Sequence, residues 1–102
     1  MDQWDTSNRH ELAHISAEIA YLGFKIAVLE AYSYALRKGN PDGIRLGQIY
    51  FNLLANRQPD IAAAIRGTAF DPFHKHRITQ VVEQRVLELW ARLPKYKDQW
   101  VV

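Results

Sequence analysis

The sequence predicts an all-α protein: one long N-terminal helix packed with three shorter helices in an oligomeric helical bundle. Three observations carry this. Apolar residues recur every three or four positions in each long segment, and no alternating pattern marks a strand. From Asn8 to Lys38 there is no proline, and Gly23 is the only glycine. The Pro and Gly clusters fall between the periodic segments, where helices end and turns begin.

Residues 1–7 read as a tail with Trp4 as its anchor, and residues 8–94 as a single domain. Asn8 suits an N-cap, and Glu11 completes an approximate capping box. Helix one then runs to Lys38, where Arg37 and Lys38 complement its dipole and Gly39 suits the C-cap. Asn40-Pro41-Asp42-Gly43 is a turn. Helix two spans 43–57, with Leu46, Ile49, Tyr50, Leu53 and Leu54 on its inner side. Pro59 and Asp60 open a short third helix that ends at Gly67. Asp71-Pro72 forms a second turn. Helix four covers 76–93, with Ile78, Val81, Val82, Val86, Leu89, Trp90 and Leu93 facing inward, and Pro94 stops it. Residues 95–102 are a C-terminal tail carrying Tyr96 and Trp100.

Helix one is apolar on two sides. Leu12, Ile15, Ile19, Leu22, Ile26, Leu29 and Leu36 follow a three-four repeat interrupted by Ser33. Ala17, Ala20, Phe24, Ala27, Ala31 and Tyr34 repeat on the other side. A surface helix needs one apolar stripe, so a helix with two must be covered twice. At 1.5 Å per residue it is roughly 45 Å long, more than three short helices can cover. The expected remedy is a homodimer or higher oligomer. The small residues permit close approach, which makes Ala17, Ala20, Phe24, Ala27 and Ala31 the expected subunit seam. The Ile/Leu stripe is then the internal core, although the assignment can be reversed.

Composition narrows function. With 102 residues and 48% apolar content there is room for one core. No cysteine is present, which excludes disulfides and thiolate chemistry and fits a cytoplasmic protein. The acidic, polar start does not read as a signal peptide, and Glu18, Lys25 and Glu30 interrupt what would otherwise resemble a membrane span. A net charge of +2, with basic residues interspersed among acids, argues against nucleic acid as a partner.

His10-Glu11-Leu12-Ala13-His14 matches the H-E-x-x-H zinc motif, in which two imidazoles on one helix face bind metal and the glutamate acts as base. The phrase from Glu30 to Ser33 resembles the third-ligand segment of thermolysin-type enzymes. On an unbroken helix, however, Glu30 stands about 24 Å from His14, so a break at Gly23 would be required. A zinc-dependent hydrolase on His10, Glu11 and His14 is therefore the alternative reading, and no metal or cofactor is assigned. His74 and His76 form a second pair that fits capping or solvated positions. Helices two and three can be read as helix-turn-helix, which makes a DNA-binding regulator the third reading. Ala62, Ala63 and Ala64 are poor base readers.

Arg45, Gln48, Asn52 and Asn56 form a stripe on helix two that contains no acid. Arginine and amides are hydrogen-bonding groups of fixed shape, suited to carboxylate, phosphate or peptide backbone. Arg45, Gln48 and Asn52, with Arg66 and Asp71 from the following loop, are the expected binding surface. The bland alternative is that Asp71 pairs with Arg45 or Arg66 to fix the loop.

The segment Gly47-Gln48-Ile49-Tyr50-Phe51-Asn52-Leu53-Leu54, with Pro59-Asp60 and Ile65-Arg66-Gly67-Thr68-Ala69-Phe70-Asp71-Pro72-Phe73, resembles small, mostly uncharacterised bacterial and bacteriophage helical proteins. These carry a G-Q-x-x-F-N-x-L … P-D … I-R-G-T-x-x-D-P-F pattern, and the likeness covers residues 45–90. It implies a phage or prophage setting and carries no activity. The sequence thus points to a non-enzymatic protein-interaction factor that associates with itself and with another protein, as a phage accessory protein binding or inhibiting a host component.

Overall fold

The computed structural model describes residues 6–92, and side-chain surroundings from residue 14 onward. The predicted all-α class holds. The described chain forms α1 (Thr6–Arg37), α2 (Leu46–Arg57), α3 (Pro59–Ile65) and α4 (Gln80–Arg92). The long α1 packs against α2 and α4, while α3 packs on α2 and touches α4. Trp4, Leu93, Pro94, Tyr96 and Trp100 lie outside the described residues.

α1 starts before the expected cap: Thr6 and Ser7 are already helical, so Asn8 lies inside the helix. Its C-terminus is a Schellman motif. The Gly39 N–H donates to the Leu36 carbonyl at 3.0 Å and the Asn40 N–H to Ala35 at 2.9 Å. Gly39 takes φ 82°, a left-handed value that glycine adopts without strain. α2 begins at Leu46 rather than at Gly43. Asn40 holds the intervening turn by donating its amide to the Ile44 carbonyl and accepting the Ile44 N–H. At the next junction, Gln58 ends α2 by donating to Leu54, and its carbonyl starts α3 by accepting from Ile61 and Ala62. α4 begins at Gln80, not near His76, because Thr79 is its cap. The Thr79 hydroxyl accepts the Val82 N–H at 3.3 Å, and its carbonyl accepts the Glu83 N–H.

One core joins the four helices. Tyr21, Phe24 and Val28 of α1 meet Tyr50, Phe51 and Leu54 of α2, Ile61 and Ile65 of α3, and Val86, Leu89 and Trp90 of α4. This reverses the expected use of α1. Ala17 and Phe24, expected in a subunit seam, are each 1% exposed inside the monomer, and Ala20, Ala27 and Ala31 lie half-buried on the same side. Ile15, Ile19, Leu22, Ile26, Leu29 and Leu36, expected in the core, are exposed. The physical reason is volume. Phe24 sits 5.0 Å from Tyr50 and 5.7 Å from Trp90, and Tyr21 sits 6.1 Å from Trp90, so large rings fill the space between three helices. The alanines beside them leave room for α2 and α4 to approach. Val81, expected inside, also lies outside at 60% exposure.

The stretch His14–Arg37 is long and apolar enough to cross a membrane by length and composition, despite the interrupting charges. In this fold its Tyr21, Phe24 and Val28 side is occupied by α2 and α4.

Candidate interaction surfaces

The most conspicuous surface is the outer face of α1. Ile15, Ile19, Leu22, Ile26, Leu29 and Leu36 are each 48–66% exposed, in one row. From Ile15 to Leu36 the row extends roughly 31 Å at 1.5 Å per residue. Scattered exposed apolar residues are ordinary; a row of this length, broken only at Ser33, is a candidate interaction surface. Glu18, Glu30 and Arg37 are exposed on the same helix, and Lys25 is half-buried.

The polar stripe of α2 is the second surface. Arg45, Asn52 and Asn56 are exposed and Gln48 is half-buried, with Tyr50, Phe51 and Leu54 taking the inner side. The loop 66–79 seats against the first turn of α2. The Gly47 N–H donates to the Lys75 carbonyl at 2.9 Å, and a Cβ on Gly47 would collide with the Pro72 carbonyl oxygen and lie 2.6 Å from that of Lys75. Gly47 is therefore glycine because two backbones meet there.

The loop is locked by its own side chains. One Asp71 carboxylate oxygen accepts the Gly67 N–H at 2.8 Å and the other the Phe73 N–H at 3.0 Å. The Thr68 hydroxyl donates to the Ile65 carbonyl and accepts the Phe70 N–H. Pro72 is buried, and Phe73 meets Phe51 edge to face at 6.0 Å. Asp71 thus leaves the expected binding surface: its carboxylate fixes the loop. It does so through backbone amides rather than through Arg45 or Arg66. Arg66 is exposed, with its guanidinium 5.3 Å from the Phe51 ring centre. Much of the G-Q … R-G-T-x-x-D-P-F phrase is accordingly the architecture of this loop and its seat.

A polar network crosses the core, and the sequence reading missed it. The Tyr21 hydroxyl donates to Glu83 Oε2 at 2.7 Å and lies 3.0 Å from the Tyr50 hydroxyl. Glu83 also pairs with Lys25 Nζ at 2.9 Å. Burial pushes both phenols well above the ordinary tyrosine range, and the neighbouring Glu83 carboxylate adds to this. The only trace in the sequence is that Glu83 flanks the inward Val82–Val86 side of α4. Its partners lie on other helices, so spacing alone could not find it. The network ties α1, α2 and α4 together.

The zinc reading loses Glu30 as its third ligand. α1 runs unbroken through Gly23, so Glu30 remains about 24 Å along the helix from His14. His14, His74 and His76 are exposed, and among the described residues no three metal-ligating side chains come together. The side chains of His10 and Glu11 lie outside the described residues. As for helix-turn-helix, α3 has seven residues and buries Ile61, Ala62 and Ile65, leaving Asp60, Ala63 and Ala64 outward. Such a face offers no base-reading arginine or amide. No protein family, curated protein or solved structure matches the chain.

Proposed function

We propose that the protein is a non-enzymatic interaction factor that works as a self-associated assembly. The observation that carries this is the exposed Ile/Leu row of α1. Water-facing rows of this kind are stable in solution when another surface covers them. The row lies on one unbroken helix, is interrupted only at Ser33, and is backed by the packed core of Tyr21, Phe24 and Val28. The second element of the proposal is a protein partner held at Arg45, Gln48 and Asn52, with Arg66 nearby. Arg45, Asn52 and Arg66 are exposed and Gln48 half-buried, all fixed-geometry donors beside a locked loop, and rigid scaffolds favour binding at such places. The resemblance of residues 45–90 to small bacterial and bacteriophage proteins supports a cytoplasmic accessory role, binding or inhibiting a host component.

Light scattering coupled to size exclusion tests self-association. A dimer or higher assembly at tens of micromolar is expected, and a clean monomer overturns the proposal. For the second surface, Arg45→Ala with Asn52→Ala is expected to leave thermal stability nearly unchanged and to abolish partner capture from host lysate. A stable, normally assembled double variant that still captures its partner rules the stripe out.

A further inference from the structure

We propose that the exposed row of α1 is the seam of a parallel, in-register, two-stranded coiled coil formed with a second copy of this chain. This rests on the reading of α1 as a self-association surface and adds its geometry.

The row is a heptad pattern. Ile19 and Ile26 occupy a positions, Ser33 occupies a third, and Ile15, Leu22, Leu29 and Leu36 occupy d positions. Among parallel coiled coils, Ile at a with Leu at d favours two strands. The core side of the helix is the complementary set. Tyr21 and Val28 fall at c, Ala17 and Phe24 at f, and all four are buried against the rest of the chain. The a and d positions therefore point away from α2 and α4, and a second copy can seat without displacing them.

Charge and polarity fit the parallel orientation. In a parallel pair each g residue faces the e residue of the following heptad on the other strand. Lys25 then faces Glu30 of the second copy, twice by symmetry, Glu18 faces Gly23, and Tyr32 faces Arg37, with no like charges opposed. The Lys25 side chain keeps 45% exposure while paired to Glu83, which leaves it accessible to a second carboxylate. In register, the two Ser33 hydroxyls meet and can bond each other, a polar layer that fixes alignment. Antiparallel pairing depends on register: layering Ile19 on Leu22 faces Glu18 with Lys25, whereas layering Leu22 on Ile26 brings the two Lys25 side chains together and puts each Ser33 hydroxyl on Ile15.

The chain has no cysteine, so a single engineered thiol reports the geometry directly. In Ser33→Cys, the parallel seam brings the two thiols together. Covalent dimer is expected on the order of a hundredfold faster than from Ala63→Cys on the exposed side of α3, because the seam raises local thiol concentration from micromolar toward millimolar. Leu36→Cys, at a d position, is expected to behave as Ser33→Cys does and serves if that variant loses helicity. A dimer by light scattering in which Leu22→Cys and Ile26→Cys crosslink only when mixed overturns the parallel orientation but leaves self-association intact. A monomer by light scattering overturns both.

Discussion

Tyr21 on α1 and Tyr50 on α2 face each other hydroxyl to hydroxyl at 3.0 Å within an otherwise apolar core. Tyr21 gives its only proton to Glu83, so Tyr50 must be the donor to Tyr21. The chain of donation runs from α2 through α1 to α4, and the two tyrosines are therefore unequal. Tyr21→Phe leaves the Tyr50 hydroxyl buried without this acceptor, and is expected to cost about 1–3 kcal/mol. Tyr50→Phe removes only the terminal donor, and about 0.5–1.5 kcal/mol is expected. Urea unfolding of the two variants measures the difference, with Tyr21→Phe the less stable.

The same pair sets an alkaline limit. Both phenols titrate above the ordinary value when folded, chiefly because burial disfavours the phenolate. In the unfolded chain they ionise near pH 10. The folded state therefore holds its protons longer, and this contribution to stability is complete below pH 10 and lost as pH rises beyond it. Of the five tyrosines, Tyr21 and Tyr50 are expected to gain tyrosinate absorbance only as helicity is lost. Parallel absorbance and circular dichroism titrations check this. Ionisation of all five with the helices intact would contradict it.

Two loop substitutions separate structure from binding. Gly47→Ala forces a methyl group onto the Pro72 carbonyl oxygen, and neither backbone can yield without moving the loop. A loss of about 1–3 kcal/mol is expected, as for other overpacked sites. Asp71→Ala orphans the Gly67 and Phe73 amides and is expected to cost about 1–3 kcal/mol. Thermal melts of these variants beside Arg45→Ala with Asn52→Ala should place the first two well below the third.

Gly23 offers the opposite sign. It lies exposed in the middle of α1, and nothing stands within 4 Å of a Cβ built there. Gly23→Ala is expected to stabilise the protein by about 0.5–1 kcal/mol, by restricting the unfolded chain and favouring the helix. A raised melting temperature at fixed protein concentration is the readout. A fall would mean that α1 needs a bend at Gly23.

The helical class and the turns at Gly39–Gly43 and Gln58–Pro59 were legible because they depend on local chemistry. The start of α4 was legible in principle, since Thr79 is a better cap than any residue near His76. The expected helix followed Ile78 and overran it. The choice of inner face on α1 was not legible from periodicity, because both stripes repeat identically. Aromatic volume decided it: Tyr21 and Phe24 fill a space shared with Tyr50 and Trp90. For the candidate surfaces, the exposure of Arg45 and Asn52 followed from the apolar neighbours on α2. The diversion of Asp71 to its own loop did not, because a short acid beside Pro72 reads equally as a ligand or a turn lock.

The buried face and the outer row of α1 share no apolar side chain, and this lets the two evolve largely independently. In the proposed coiled coil, exchanges among Ile, Leu, Val and Asn along the outer row would shift strand number or partner preference while the domain beneath is retained. Tyr21 has no such freedom. It touches the rings of Phe24, Tyr50 and Trp90 and the carboxylate of Glu83, so any replacement must be accommodated by three helices at once.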